Sequence, residues 1–210
     1  MNITLIIVIF TAIISIYALQ KEEIMDKLIF SPTAISQQNQ WYRFVSSGFI
    51  HADLGHLFFN MYSFYSFGAY VEEEFDTLFG PSIGKILYIV LYITAIIISS
   101  IPSFIKNKDN YYYRSLGASG AVSAIVFAFI MVSPTSKMGL MFIPIGIPSY
   151  IFGLLFLVVS SILDKRGGGN INHSAHIFGA IYGALFITTL GTLLGHINIF
   201  YLFISQIAGY

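Results

Sequence analysis

Residues 116–133 have the sequence Leu-Gly-Ala-Ser-Gly-Ala-Val-Ser-Ala-Ile-Val-Phe-Ala-Phe-Ile-Met-Val-Ser, an apolar stretch without a single charge. Small residues recur in it at helical spacing, at positions 117, 121, 124 and 128. Small side chains on one side of a helix let two helix backbones approach closely, as they do inside membranes. The stretch therefore predicts a helix in the interior of a membrane-embedded bundle.

The composition of the whole chain agrees with this interpretation. Hydrophobic residues make up 56% of the 210 residues, charged residues 10%, and the mean hydropathy is +0.78. A soluble domain contains about 25% charged residues, so this chain lacks the charge to face water on all sides. Its length fits one domain, and its net charge of zero gives no sign of a nucleic-acid partner. With no cysteine, disulfides, Cys metal sites and a Cys nucleophile are excluded.

Six apolar segments are long enough, or nearly so, to cross a bilayer, which takes about 20 residues. They lie at roughly 2–19, 56–74, 84–105, 116–133, 146–163 and 174–195. The predicted fold is all-α, a polytopic membrane protein whose six-helix domain covers residues 1–195. The first segment is interpreted as a spanning helix rather than a signal peptide, because no Lys or Arg precedes it and no small-residue cleavage pattern follows. The apolar tail 196–210 either lies along the interface or extends the sixth helix.

The connections between these segments differ in kind. Residues 20–55 form a long polar and aromatic stretch that contains the only tryptophan, Trp41. The stretch 141–148 contains two prolines and a glycine, which argue against an uninterrupted helix there. Residues 167–170 (Gly-Gly-Gly-Asn) indicate a flexible turn before the last segment.

Ser119 opens the fourth segment within Gly117-Ala118-Ser119-Gly120. In the first turn of a helix, free backbone N–H groups and the positive end of the helix dipole can stabilise an oxyanion. Flanking glycines let a substrate backbone approach the hydroxyl. Taken alone, the same pattern favours a packing surface over a nucleophile.

His176 opens the sixth segment, and Gly179, Ala180 and Gly183 share its side of the helix. These small residues predict close packing against another helix, which would bring the imidazole to that neighbour. A neutral histidine is the usual base for a serine nucleophile. A single histidine near a helix end is more often an interfacial or hydrogen-bonded residue, and its pairing with Ser119 favours the catalytic interpretation.

His56 and Asn60 open the second segment four residues apart and therefore share one side of a helix. Polar groups inside a membrane need partners, and these two could donate hydrogen bonds to an oxyanion. Hydrogen bonding between helices is the equally weighted alternative. In an up-down bundle the N-termini of alternate helices lie on one side of the membrane. The second, fourth and sixth segments would therefore bring His56, Ser119 and His176 to similar depth.

No acidic residue lies within the fourth or sixth segment, so the pattern predicts a Ser-His dyad rather than a triad. Together these features resemble the rhomboid family of intramembrane serine proteases, over about residues 41–183. The matching parts are Arg43, Phe49-Ile50-His51, His56 with Asn60, Gly68-Ala69-Tyr70-Val71-Glu72, Gly117-Ala118-Ser119-Gly120, and Ala175-His176 with Gly179 and Gly183.

The resemblance implies a six-helix core with Ser119 as nucleophile and His176 as general base. It implies an oxyanion hole formed by His56, Asn60 and the backbone N–H of Ser119. By the same resemblance Trp41 and Arg43 anchor the 20–55 connection, and Glu72 is a structural buried acid. Helix five and the loop 164–173 resemble the family's substrate gate and cap.

The implied partners are the lipid bilayer and transmembrane protein substrates, which would be cut near the outer side of the cell membrane. No cofactor, metal or nucleic acid is expected. The sequence departs from the family at Ser123, where many members have an aromatic residue that packs on the catalytic ring. The distribution of its positive charges is also unusual. The family topology would place eight Lys and Arg residues on the outer side and only Lys85 and Lys137 on the inner side. That count opposes the positive-inside rule, although several outer charges can serve to anchor loops.

Three alternatives are less favoured. A catalytically silent rhomboid-like protein that binds membrane helices would typically lack the serine or the histidine. A metalloprotease or metal transporter using His51, His56, His173 and His176 would need metal-ligand spacing, and no His-Glu-x-x-His occurs. A small transporter or channel would spread polar residues along a path, whereas here they concentrate at one end of the helices.

Overall fold

A computed structural model describes residues 2–139, 146–166 and 172–209 of this chain, and most of these residues are helical. The helices, in chain order, are α1 (Ile3–Leu19), α2 (Glu22–Leu28), α3 (Pro32–Gln38), α4 (Arg43–Ser46), α5 (Leu54–Phe79), α6 (Pro81–Asn107), α7 (Ser119–Val132), α8 (Ser149–Arg166), α9 (His173–Leu193) and α10 (Ile199–Ala208). A 3₁₀ turn, Ser47–Phe49, follows α4. The long helices α1, α5, α6, α7, α8 and α9 correspond to the six predicted segments.

The helical class predicted from the sequence is confirmed. Among the described helices, α6 and α9 combine the length and the apolarity of a membrane span, with mean hydropathies of 2.1 and 1.5. Helices α1, α7 and α10 are apolar but shorter. The count of six spanning helices therefore stays a prediction.

Helix α7 is the centre of the bundle, as its small-residue pattern predicts. Ten of its 14 residues are buried, because it contacts α5, α6, α8 and α9 along its length. Its closest neighbour is α9. A Cβ atom added to Gly179 would lie 2.1 Å from the Gly120 carbonyl oxygen, and one added to Gly183 would lie 2.0 Å from that of Ala124. The expectation that the small face of the sixth segment presses against another helix is confirmed.

Glu72 holds the start of α1 against α5. Its carboxylate accepts hydrogen bonds from the backbone N–H groups of Ile3 and Thr4 and from the Thr4 hydroxyl, each at 2.8 Å. Thr4 Oγ1 also lies 2.7 Å from the Tyr88 hydroxyl of α6. These bonds satisfy N–H groups that a helix start leaves free, and a negative charge there suits the helix dipole. Glu72 is 12 residues from Asn60, about 18 Å along α5, so its role here is structural.

The connection between α1 and α5 is ordered by one buried cation. The Arg43 guanidinium donates to the carbonyl oxygens of Asp26 and Ile29, both at 2.7 Å, and to Gln40 Oε1. The Trp41 ring stacks on Phe44, with centroids 6.1 Å apart, although the residue is 56% exposed. The Arg43 hydrogen bonds agree with the anchoring role that the resemblance implies for this connection, and the same role for Trp41 stays a prediction.

Two short segments complete the fold. Residues Lys137–Met138 pair antiparallel with Ile147–Pro148, so the end of the 141–148 stretch is a strand; residues 140–145 lie outside the described residues. The predicted turn at 167–170 and half of the 164–173 loop, residues 167–171, also lie outside them. The tail does not continue α9. A turn with His196 at φ +53° leads into the separate helix α10, which contacts α7 and α9.

Candidate active site

Ser119 is the first residue of α7, and no side chain caps this helix start. Its neighbours Ala118 and Gly120 are buried, while Ser119 itself is half-buried. The turn before the helix depends on Gly117, whose φ of +114° suits glycine. A Cβ at Gly117 would also lie 2.8 Å from the His56 ring. The first-turn N–H groups of α7 thus have no side-chain acceptor and are available to an oxyanion.

His176 lies in the first turn of α9, whose start is capped by Asn172. The Asn172 side chain accepts from the Ala175 N–H at 3.1 Å and also bonds Ser103 of α6. The contact between Gly179 and Gly120 lies about one turn further along α9. It brings the start of α9 next to the start of α7. Within the described residues, Ser119 and His176 are on adjacent helix starts but are not hydrogen-bonded to each other.

His56 lies beside the serine turn, as its place at the start of α5 predicts. Its Nδ1 is 3.5 Å from the Ala52 N–H, a weak bond in which the ring nitrogen accepts. That arrangement leaves the proton on Nε2, which faces Gly117. The helix start is fixed by Asp53, whose carboxylate accepts from the His56 N–H at 2.7 Å.

Asn60 is buried one turn along α5 from His56. One of its amide N–H groups donates to the His56 carbonyl oxygen at 2.9 Å. A primary amide has two N–H donors, so the second remains for another acceptor. The structure therefore brings Ser119, His176 and His56 to one end of the bundle, with Asn60 below His56 on the same helix.

His51 lies at the candidate site, and sequence reasoning included it in the family resemblance and in the less favoured metal alternative but assigned it no structural role. It is fully buried, and its Nε2 accepts from the Ala118 N–H at 3.3 Å, directly before the serine. Its Nδ1 consequently carries the proton and donates to Ser15 Oγ of α1 at 3.2 Å. Burial, and to a lesser extent the neighbouring His56, lowers the pKa of His51 to about 3. The neutral ring thus ties the turn before Ser119 to α1.

The ring of His176 is supported from α8 rather than from α7. Ser123, where many rhomboids have an aromatic residue, is buried but cannot stack on a ring. Phe156 stacks on His176 instead, with centroids 6.0 Å apart, and packs in turn on Phe127 at 5.8 Å. His173 meets the edge of the same imidazole, with centroids 5.8 Å apart. The sequence signal for this support was weak, because Phe156 is one of many aromatic residues on apolar helices.

A small polar cavity adjoins Ser119. Its volume is about 20 Å³, and its polar lining includes Ser47, Ser99, Ser100, Ser119 and Asn172. A polar cavity of this size holds about one water molecule. Among the residues that the structure describes, no three His, Cys, Asp or Glu side chains form a group of metal ligands.

Comparison with known proteins gives consistent matches. Residues 38–193 match the family model of the Rhomboid domain. The chain is 32% identical over 151 residues to RHOMBOID-like protein 12, mitochondrial, of Arabidopsis thaliana, covering 67% of this chain and 44% of that protein. It is 27% identical over 144 residues to Presenilin-associated rhomboid-like protein, mitochondrial, of Mus musculus, covering 68% and 36%. It is 28% identical over 155 residues to Rhomboid protease GluP of Bacillus subtilis (strain 168), covering 73% and 27%. The chain thus matches less than half the length of each of these relatives.

Proposed function

Because this chain belongs to the rhomboid family, we propose that it is an intramembrane serine endopeptidase that cleaves transmembrane segments of other membrane proteins. The supporting observation is the backbone contact between α7 and α9 at Gly120 and Gly179. This contact sets a serine at an uncapped helix start beside a histidine at another helix start. One relative with the name Rhomboid protease, GluP, agrees with this assignment.

In the proposed reaction, Ser119 Oγ attacks the carbonyl carbon of the scissile peptide bond and its proton passes to His176. The developing oxyanion accepts hydrogen bonds from the Ser119 N–H, from His56 Nε2–H and from the second Asn60 N–H. Collapse of this intermediate breaks the C–N bond, and His176 protonates the leaving amine. Water then attacks the acyl-enzyme with His176 as base, which regenerates Ser119 and releases the carboxylate product.

Two features of the site support this sequence of steps. The polar cavity beside Ser119 provides space for a water molecule next to the acyl group of the intermediate. The helix that contains Ser119 is otherwise mostly apolar. His176 has Phe156 on its face and His173 at its edge, which restricts the ring while it moves protons. A dyad without a carboxylate gives less stabilisation to the imidazolium than a triad does.

The test is cleavage of a panel of single-span membrane proteins by the purified chain, with labelling by a fluorophosphonate. We expect Ser119→Ala and His176→Ala to abolish cleavage and labelling while keeping the helical content and the melting temperature. Ser205→Ala, at a half-buried position on α10 away from the candidate site, is the matched control and should retain full activity. Labelling that persists in Ser119→Ala would refute the nucleophile. A folded wild-type protein that is neither labelled nor active would instead indicate a silent rhomboid-like protein.

The proposed location is the cell membrane, with the Ser119 end of the bundle on the outer side. The family is membrane-embedded, and the names of the plant and mouse relatives place those two proteins in mitochondria. Fractionation of the source cells and labelling of cysteines introduced in the loops would decide both the membrane and the orientation. A cysteine at Lys108 that reacts only from the cytoplasm would refute the proposed orientation.

A further inference from the structure

An apolar groove of about 480 Å³ lies between α1 and α6, and none of its lining residues belongs to the candidate active site. One wall is the side of α1 that contains Ile3, Ile7 and Phe10, and the other is the side of α6 that contains Ile89 and Ile93. The three residues of α1 are spaced by four and three positions, and the two residues of α6 by four. Each set therefore lies along one side of its helix. The groove therefore follows the helix axes, as a lipid chain in a bilayer does.

Lys85 is the one charged residue among the described residues that line this groove. It lies near the start of α6, at the end where α1 also begins. Because α6 has the length and apolarity of a span, its first turns lie near a membrane surface. Lys85 and Ile93 are eight residues apart, which is about 12 Å along α6. This length is close to the depth of one leaflet, which is half of a hydrocarbon core of about 30 Å.

An acceptor lies beside the groove end, on Asp76, which pairs with the groove-lining Lys85. Lys85 Nζ lies 3.8 Å from Asp76 Oδ2, a loose ion pair with 39% and 28% of the two side chains exposed. Both charges are therefore partly accessible and only weakly engaged with each other. This end of the groove suits a group that supplies one cationic N–H and one anionic oxygen.

We propose that this groove binds a phosphatidylethanolamine molecule of the bilayer. One acyl chain lies between α1 and α6, the phosphate accepts from Lys85 Nζ, and the primary ammonium donates to the partly exposed Asp76 carboxylate. A phosphatidylcholine headgroup has no N–H to donate, and a phosphatidylglycerol headgroup has no cation to meet the carboxylate. The charges at the groove end thus match one headgroup. The bound lipid fills the space between α1 and α6, and its binding is independent of the protease assignment.

The experiment is native mass spectrometry of the purified, delipidated full chain, titrated with dioleoyl phosphatidylethanolamine, phosphatidylcholine or phosphatidylglycerol. We expect dioleoyl phosphatidylethanolamine to bind about tenfold more tightly than the other two lipids, because one charge-assisted hydrogen bond contributes about this difference in affinity. Equal binding of all three lipids by the wild-type protein would overturn the proposal.

Variants of Lys85 and Asp76 test separately the binding of the phosphate and of the ammonium of the headgroup. Lys85→Gln should lose most of the tight binding, whereas Lys85→Arg should keep it. Asp76→Asn should bind phosphatidylethanolamine and phosphatidylcholine alike. Lys106→Gln, at the opposite end of α6, is the matched control and should behave as wild type. Unchanged lipid preference in folded Lys85→Gln and Asp76→Asn proteins, judged by their melting temperatures, would refute the site.

Ile89→Trp tests the apolar part, because a bulky side chain there fills the groove from the membrane side. We expect it to abolish tight binding of phosphatidylethanolamine while cleavage continues. Dimers of the wild-type protein that disappear in Ile89→Trp would show that a second copy of the chain occupies the groove, and would overturn the lipid proposal.

Discussion

The ring of Phe156 on α8 stacks on the ring of His176 on α9, with planes 26° apart. Phe156 belongs to a helix with few buried residues: three of the 18 residues of α8 are buried, against ten of 14 in α7. The His176 ring is thus supported by the more peripheral of its two neighbouring helices. A movement of α8 would therefore change the support of this ring.

We predict that Phe156→Ala lowers kcat about 2- to 10-fold, since an aromatic pair is worth about 0.5–1.5 kcal/mol beyond its burial. KM should change less, because the substrate is not expected to need this contact for binding. Phe156→Tyr should restore most of the rate. Phe152→Ala, which removes a ring that touches Phe156 rather than His176, is the control. Steady-state cleavage of one substrate measures both constants, and a purely KM effect would contradict a positioning role.

Two substitutions of Asn60 test the oxyanion hole, and one of them, Asn60→Asp, keeps the shape of the side chain. Asn60→Ala should lower kcat about 10- to 1,000-fold, the range for loss of one donor. Asn60→Asp should be more harmful, because it removes both N–H groups and adds a negative charge beside the developing oxyanion. Single-turnover cleavage is the measurement, with melting temperatures to confirm the fold. Equal rates for Asn60→Ala and wild type would remove Asn60 from the site.

His51 should make stability depend on pH. Its pKa is about 3 in the folded chain and about 6.5 when unfolded, so between these values the unfolded chain binds the extra proton. Its contribution to stability is therefore complete above about pH 6.5 and decreases by about 1.4 kcal/mol for each pH unit below that value.

The measurement is the melting temperature in detergent at pH 7 and pH 4.5, for wild type and His51→Asn. Asparagine can still accept from the Ala118 N–H but does not titrate. The difference between the two proteins should shrink or reverse as the pH falls. A wild-type protein that loses no more stability at pH 4.5 than His51→Asn would show that His51 is not the group responsible.

Gly179 tests the contact on which the site depends. A Cβ there would lie 2.1 Å from the Gly120 carbonyl oxygen, so Gly179→Ala must separate α7 from α9. We expect a loss of about 1–3 kcal/mol of stability from overpacking and a large loss of cleavage. Leu185→Ala, at a position of the same helix, α9, that is 59% exposed, is the control. Full activity in Gly179→Ala would show that Ser119 and His176 do not need this helix approach.

Much of the site could be predicted because its signals are local. The small-residue faces of α7 and α9 predicted their own close packing, since residues three and four apart lie on one side of a helix. Ser119, His176 and His56 each stand at the start of a helix, and of these three starts that of α7, at Ser119, lacks a side-chain cap. The helix ends were less well predicted. Helix α5 continues to Phe79, until Gly80 at φ +80° and Pro81 end it and begin α6.

The sequence by itself determined the helical class and the family and indicated the candidate site residues, because each depends on short spacings along the chain. The tertiary structure decided how those residues are supported. Phe156 replaces the missing aromatic at Ser123, His51 holds the Ala118 N–H from 67 positions away, and Glu72 caps a helix 68 positions away. Such partners depend on how the helices pack around α7, and no local pattern specifies which side chain will meet which across that distance.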